Sequence, residues 1–144
     1  MKTDFCGAAV TASTQSDPES DAIRAAALDY IDGYYSGDAA RMERALHADL
    51  AKRCVSTDPK TGKSALGHLS AMSLVQLTRS GAGKLPEALR QEDVTILDRY
   101  HDAAVVKIIA TEWIDYLEMA KFDGAWKIIN VLWALKPKPD EAAR

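Results

Sequence analysis

The sequence is short of most features that announce a chemistry. It has two cysteines and three histidines in 144 residues. Cys6 and Cys54 are too few for a disulfide framework, so both read as free thiols in a cytoplasmic protein. His47, His68 and His101 lie far apart and show no metal-ligand spacing. No Gly-rich phosphate loop, no Gly-x-Ser-x-Gly turn and no Cys-x-x-Cys pair occurs, so neither metal nor cofactor is expected. Positive charge is not in excess. Lys plus Arg is 18 and Asp plus Glu is 21, a net charge of −3. That balance argues against a nucleic-acid partner, which needs a basic surface. No apolar run reaches the roughly 18 residues that cross a bilayer, and the Ala8–Val10 stretch is too short for a signal peptide. No membrane partner is expected. Aromatics are only 7%, yet Trp113, Trp126 and Trp133 all fall from residue 113 onward.

What is present suffices for one core. Hydrophobic residues make up 47% of the chain. The length fits a single domain, expected over residues 17–137, with a mobile tail at 1–16 and a short C-terminal tail at 138–144. Asp17 can cap a helix that opens with Pro18, and Glu19 and Asp21 suit its positive end. Ile23, Ala27, Tyr30, Ile31 and Tyr34 give that helix one apolar face, and Gly37 stops it. Asp38 caps a shorter helix with Met42, Ala45 and Leu46 on its buried side. Residues 51–57 read as a strand, 58–62 as a turn, and about 69–80 as a third helix. Gly81, Gly83 and Pro86 mark a loop. From Glu92 onward the pattern is strand: Val94 and Ile96 alternate, Ala103–Ala110 follows, and Trp113–Phe122 and Ala125–Leu135 flank the hairpin signal Asp123-Gly124. Helices first and a meander afterwards predict an α+β fold with three N-terminal helices on one face of an antiparallel sheet.

The hairpin fixes which residues share a face. A two-residue loop pairs Phe122 with Ala125, Met119 with Ile128, Leu117 with Asn130, Asp115 with Leu132 and Trp113 with Ala134. These residues and Trp126 form the expected inner face. Ile114, Tyr116, Ile129, Val131 and Trp133 form an outer apolar face. A patch of that size marks an interface, so a homodimer through the outer sheet face is expected. A one-residue slip exchanges every assignment.

Segments of the chain resemble the nuclear transport factor 2-like, or SnoaL-like, superfamily, and within it the putative lumazine-binding family. The resemblance rests on Ala26-Ala27-Leu28-Asp29-Tyr30 through Gly37-Asp38, on Ala45-Leu46-His47 through Leu50-Ala51-Lys52-Arg53, and on Val94-Thr95-Ile96-Leu97-Asp98. Asp115-Tyr116-Leu117 and Gly124-Ala125-Trp126-Lys127-Ile128-Ile129-Asn130-Val131-Leu132-Trp133 complete it. It covers about residues 20–137. The chain departs at Ala48, where the family often has proline, and at Ala134. The resemblance implies a cone-shaped, curved sheet wrapped by helices, with an apolar pocket at its wide end. Members of the superfamily include ketosteroid isomerase, polyketide cyclases, dehydratases, epoxide hydrolases and non-enzymatic binding or scaffold domains, so fold alone selects no function.

Several side chains can carry chemistry in such a pocket. Asp115 on the inner face must be hydrogen-bonded or protonated, as a general acid or as a structural carboxylate. By the resemblance, Tyr30 falls where ketosteroid isomerase carries its oxyanion tyrosine, and Asp115 falls within one residue of that enzyme's oxyanion-hole acid. The isomerase's proton-shuttling carboxylate would fall near Val55, which has no base, so that reaction as such is not expected. Tyr30 can equally be a core residue. His47 ends the second helix, as a cap or as a proton shuttle. Lys52 and Arg53 alternate, so one points inward, and an inward Arg53 can pair with Asp115 or hold an anion. Tyr34, Arg53, Lys107, Trp113, Leu117, Trp126 and Asn130 are the candidates for lining the pocket. Three functions, an enzyme and two non-catalytic roles, remain open on these residues. One is a cofactor-independent isomerase, cyclase or dehydratase acting on a hydrophobic molecule through Asp115, Tyr30 and His47. The others are a non-catalytic protein that binds a planar pterin-like or polycyclic ligand, and a dimeric interaction scaffold.

Overall fold

The computed structural model describes residues 17–138. The expected N-terminal tail, Cys6 and nearly all of the expected C-terminal tail lie outside them. Helix α1 runs Pro18–Ser36. Asp17 caps it by accepting the Glu19 N–H, and Gly37 ends it at φ 67°, a left-handed conformation that glycine adopts without strain. Helix α2 spans Ala39–Ala45, capped by Asp38. Strand β1 follows without a loop as Leu46–Thr57 and turns back into β2, Ser64–Ser70. Helix α3 covers Ala71–Ser80, with Ser70 as its cap and Gly81 at its end. A single 3-10 turn at Glu87–Leu89 leads into β3 (Glu92–Tyr100), β4 (Ala103–Ala110), β5 (Trp113–Phe122) and β6 (Ala125–Leu135). No helix among the described residues is long and apolar enough to cross a membrane.

The six strands form one sheet in the order β2-β1-β6-β5-β4-β3. All pairs are antiparallel except β1 with β6, so the sheet is mixed rather than wholly antiparallel. The helices cover one face, the α+β cone that the sequence predicts. Ile23, Ala27, Tyr30 and Ile31 of α1 are buried with Val106, Ile108, Leu117, Met119, Ile128 and Val131 of the sheet. Burial of these side chains removes apolar surface from water and supplies the main stabilising term.

Three departures from the sequence reading bear on function. The second helix stops at Ala45, so His47 belongs to β1 and does not cap a helix. Residues 64–70 form an edge strand ahead of α3. The hairpin register holds from Phe122–Ala125 to Met119–Ile128, with Asp123 (φ 49°) and Gly124 (φ 83°) both left-handed as a primed two-residue turn requires. Between Glu118 and Met119 the register then shifts by one residue on β6. Beyond this bulge Asp115 opposes Trp133, not Leu132, and Leu117 opposes Val131, not Asn130. An extra residue inverts the face of everything past it. Val131 and Trp133 therefore turn inward, while Asn130 and Leu132 join the outer face beside Glu118 and Tyr116.

Candidate functional site

The inner face of the sheet, near the open end of β5, gathers side chains from four elements. Helix α1 supplies Tyr30 and, one turn on, Tyr34. Strand β5 supplies Trp113 and Asp115, two residues apart and so on one face. The bulge brings Trp133 of β6 beside Asp115. Strand β1 contributes Lys52, whose neighbours Leu50 and Cys54 share its inward parity.

The cluster is nearly dry. Asp115 is 0% exposed, Tyr30 2% and Lys52 8%. Lys52 Nζ donates to Tyr30 Oη at 2.7 Å, and Trp113 Nε1 donates to Asp115 Oδ2 at 2.7 Å. Lys52 Nζ stands 3.9 Å from Asp115 Oδ1. That separation exceeds a hydrogen bond, and Oδ1 has no partner among the described residues. The Lys52 nitrogen also lies 5.2 Å from the centre of the Tyr30 ring and 5.5 Å from that of Trp133. Trp113 meets Tyr34 edge-on at 6.0 Å and Tyr35 at 5.9 Å. Trp113, Trp133 and Tyr34 are only half-buried, so they rim the cluster. A cavity of about 190 Å³ adjoins this rim, between Tyr34, Trp113 and the loop Ala82–Leu85.

Burial sets the electrostatics. Loss of water pushes the Asp115 carboxyl up, a shift that the Lys52 charge, the Trp113 N–H and the Tyr30 hydroxyl oppose. Desolvation lowers the Lys52 ammonium, with Asp115 pulling the other way. Tyr30 is pushed well above the ordinary phenol range, chiefly by burial and then by the Asp115 charge. Burial thus works against the charged form of both members of the Lys52–Asp115 pair, while the charge of each favours the charged form of the other. Such a cluster can donate to, protonate or attack a polar group placed among it.

The fold brings Asp115, Tyr30, Trp113 and Tyr34 together. It separates the other candidates. His47 sits at the start of β1, accepts the Asp49 N–H on Nδ1 and stacks on Phe122 at 4.6 Å. It lines a different groove, between α2 and α3, with Met72 and Arg79. Leu117 is wholly buried core. Trp126 lies at the hairpin end, where its Nε1 donates to Glu19 at 2.7 Å. Arg53 is exposed on the outer face, since the inward residue is Lys52. Lys107 also points outward, 6.0 Å from the Tyr116 ring, and Asn130 is turned outward by the bulge. Sequence reasoning left Lys52 and Arg53 as alternatives, favoured Arg53 for the pocket, and placed Trp133 on the outer face. Strand parity from Leu50 was the available signal for Lys52, and nothing local signals Trp133.

The comparisons with known proteins agree with this architecture. The model of the family described as putative lumazine-binding matches residues 18–134. Among solved structures, an NTF2-like protein of unknown function from Methylobacillus flagellatus KT is 22% identical, with a TM-score of 0.67 over 86% of this chain and 97% of that one. An NTF-2 like protein of unknown function from Silicibacter pomeroyi DSS-3 is 15% identical, with a TM-score of 0.67 over 81% of this chain and 94% of that one. A ketosteroid isomerase-like protein from Erwinia carotovora atroseptica is 13% identical, with a TM-score of 0.54 over 85% of this chain and 99% of that one. At these identities the likeness concerns the fold. No curated protein matches the sequence. With the family model spanning the helices and all six strands, the chain belongs to the putative lumazine-binding family and has the NTF2-like fold.

Proposed function

We propose that the protein binds a small hydrophobic molecule at the Trp113–Trp133 rim, with the ligand's polar group directed at Tyr30, Lys52 and Asp115. The observation that carries this reading is Asp115 Oδ1, fully buried and without a partner. A buried carboxyl oxygen left unpaired costs about 1–3 kcal/mol, and a polar group of the ligand can recover it. On this reading Asp115 acts as an acid toward the ligand, and Tyr30 stabilises a developing oxyanion. The supported reaction classes are isomerisation, cyclisation and dehydration without a cofactor.

A ligand screen followed by Asp115→Asn and Tyr30→Phe tests it. Each variant is expected to lower turnover by about 10²- to 10⁴-fold while retaining most ligand affinity. Rates unchanged in both variants overturn the catalytic reading. A second reading, a non-catalytic binder of a planar ligand, draws on the half-buried faces of Trp113 and Trp133 and on the family's name, which points to a pterin-like bicycle. Under it both substitutions weaken affinity and no turnover exists to lose.

The outer sheet face supports a homodimer in the same proposal. Tyr116 and Leu132 form a cross-strand pair there, Val55 pairs with Leu66, and Ile114 and Ile129 lie alongside. Val131 and Trp133, expected in that interface, face the interior instead.

A further inference from the structure

Lys52 has a chemistry that the acid and oxyanion roles of its neighbours do not use. Among the described residues no other lysine is buried. Its side chain keeps 10% exposure, and its nitrogen lies within 5.5 Å of the ring centres of both Tyr30 and Trp133. If Lys52 were simply half of an ion pair, its ammonium would be expected to donate to the carboxylate. Instead Nζ donates to Tyr30 Oη at 2.7 Å and stays 3.9 Å from Asp115 Oδ1, which is left unpaired among the described residues. An oxygen carried on a carbon bonded to Nζ falls within hydrogen-bond reach of that same Oδ1.

We propose that Lys52 is a nucleophile that captures the carbonyl carbon of a small aldehyde or ketone as an imine, with Asp115 as the proton donor. The proposal rests on the reading above that this end of the fold receives a small molecule, and it specifies that molecule as carbonyl-bearing. The amine lone pair of Lys52 forms the N–C bond while the carbonyl π pair moves to oxygen. That oxygen takes a proton from the new ammonium and becomes a carbinolamine hydroxyl. The Asp115 carboxylic acid then protonates the hydroxyl, the C–O bond breaks, and water leaves. The nitrogen lone pair closes the C=N bond. The product is a protonated imine facing the Asp115 carboxylate, and no oxidant or reductant is consumed. Tyr30 Oη, already on Nζ, holds the nitrogen in place. Desolvation favours the free amine that starts the sequence and the carboxylic acid that continues it. A protonated imine withdraws electrons from the adjacent carbon, which serves the isomerisation and dehydration classes already named.

The test uses the full-length protein, the planar aldehyde 6-methoxy-2-naphthaldehyde and cyanoborohydride, which reduces the iminium to a stable amine. Peptide mapping by mass spectrometry locates the adduct. Lys52 is expected to be labelled faster than any other lysine near neutral pH, because burial favours its free amine and the Asp115 carboxyl stands 3.9 Å from its nitrogen. Asp115→Asn should slow labelling at Lys52 alone, and Lys52→Met should abolish the fast adduct. In parallel, the corresponding naphthyl alcohol, which cannot form an imine, is titrated against tryptophan fluorescence. Saturable quenching by the alcohol without preferential labelling of Lys52 overturns the covalent proposal and leaves the binding reading standing. Absence of both overturns the two together. The wild-type map decides the matter even where the Lys52→Met variant fails to fold.

Discussion

Glu92 opens β3 with one carboxyl oxygen buried and unpartnered, against Asp32 of α1. Asp32 holds the guanidinium groups of Arg41 and Arg90, the latter at 3.0 Å. The two carboxyls are pushed apart: Asp32 is held below its ordinary value, while Glu92 rises from 4.5 to about 7, chiefly through desolvation and then through its hydrogen bond to Asp32 and the Asp32 charge. A raised folded-state value means that the native protein binds a proton that the unfolded chain releases. The stabilisation is complete below pH 4.5 and is lost as pH climbs through about 7. Thermal melts of the wild type should therefore fall by a few degrees between mildly acidic and mildly alkaline buffer. Glu92→Gln should flatten that interval and raise the alkaline melting temperature. A pH profile identical in the two proteins would exclude the pair as its source. Legibility at this scale followed parity. Asp115 was readable because it lies two residues from Trp113 within a hairpin whose turn is written in Asp123-Gly124. Lys52 and Arg53 were readable only as alternatives, because exposure of one and burial of the other depends on which face of β1 meets α1.

The loop after α3 is held to the site by a contact without slack. A methyl group at Gly83 would lie 2.3 Å from the Tyr34 ring. Gly83 is thus a point of close approach, and Tyr34 in turn meets Trp113 edge-on. Gly83→Ala must displace either the loop or the ring, at a cost of roughly 1–3 kcal/mol for overpacking. It is expected to lower the denaturant midpoint and to weaken ligand binding at the tryptophan rim together. Loss of stability with unchanged affinity would mean that the loop gives way and Tyr34 does not. The elements themselves were legible where periodicity or capping wrote them: α1 between Asp17 and Gly37, and β5–β6 around their turn. Two features were not. Strand β2 is exposed along most of its length, so no apolar alternation marks it, and its pairing with β1 alone defines it. The bulge falls within Ile128-Ile129-Asn130-Val131, where aliphatic residues suit either face. The choice is made by what packs against them: Ile128 and Val131 are both buried, and only an extra residue between them permits that spacing. That single irregularity moves Trp133 into the site and Leu132 out of it.

For the whole molecule, the consequence of the bulge is a different outer surface. Leu132 is 53% exposed, Val55 59% and Leu66 61%, all on the side of the sheet that no helix covers. Arg53 and Glu118 share that face with Tyr116, Asn130 and Leu132 around a hollow of about 470 Å³. Apolar side chains ringed by one basic and one acidic residue form a self-complementary surface. A two-fold axis through it can place Arg53 of each copy against Glu118 of the other while Leu132 and Tyr116 are buried at the centre. Each chain has a mass of 15.7 kDa, so light scattering should return about twice that value. Leu132→Glu places two like charges near the axis and two carboxylates in an apolar seam. It should shift the mass toward that of one chain at low micromolar concentration, with the circular dichroism spectrum unchanged because Leu132 supports no core contact. Arg53→Glu with Glu118→Arg should restore the dimer that either substitution alone weakens. A wild-type mass near 15.7 kDa would remove the interface, and the exposed leucines would then stand as free surface on a monomer whose proposed ligand site lies on the opposite face of the sheet.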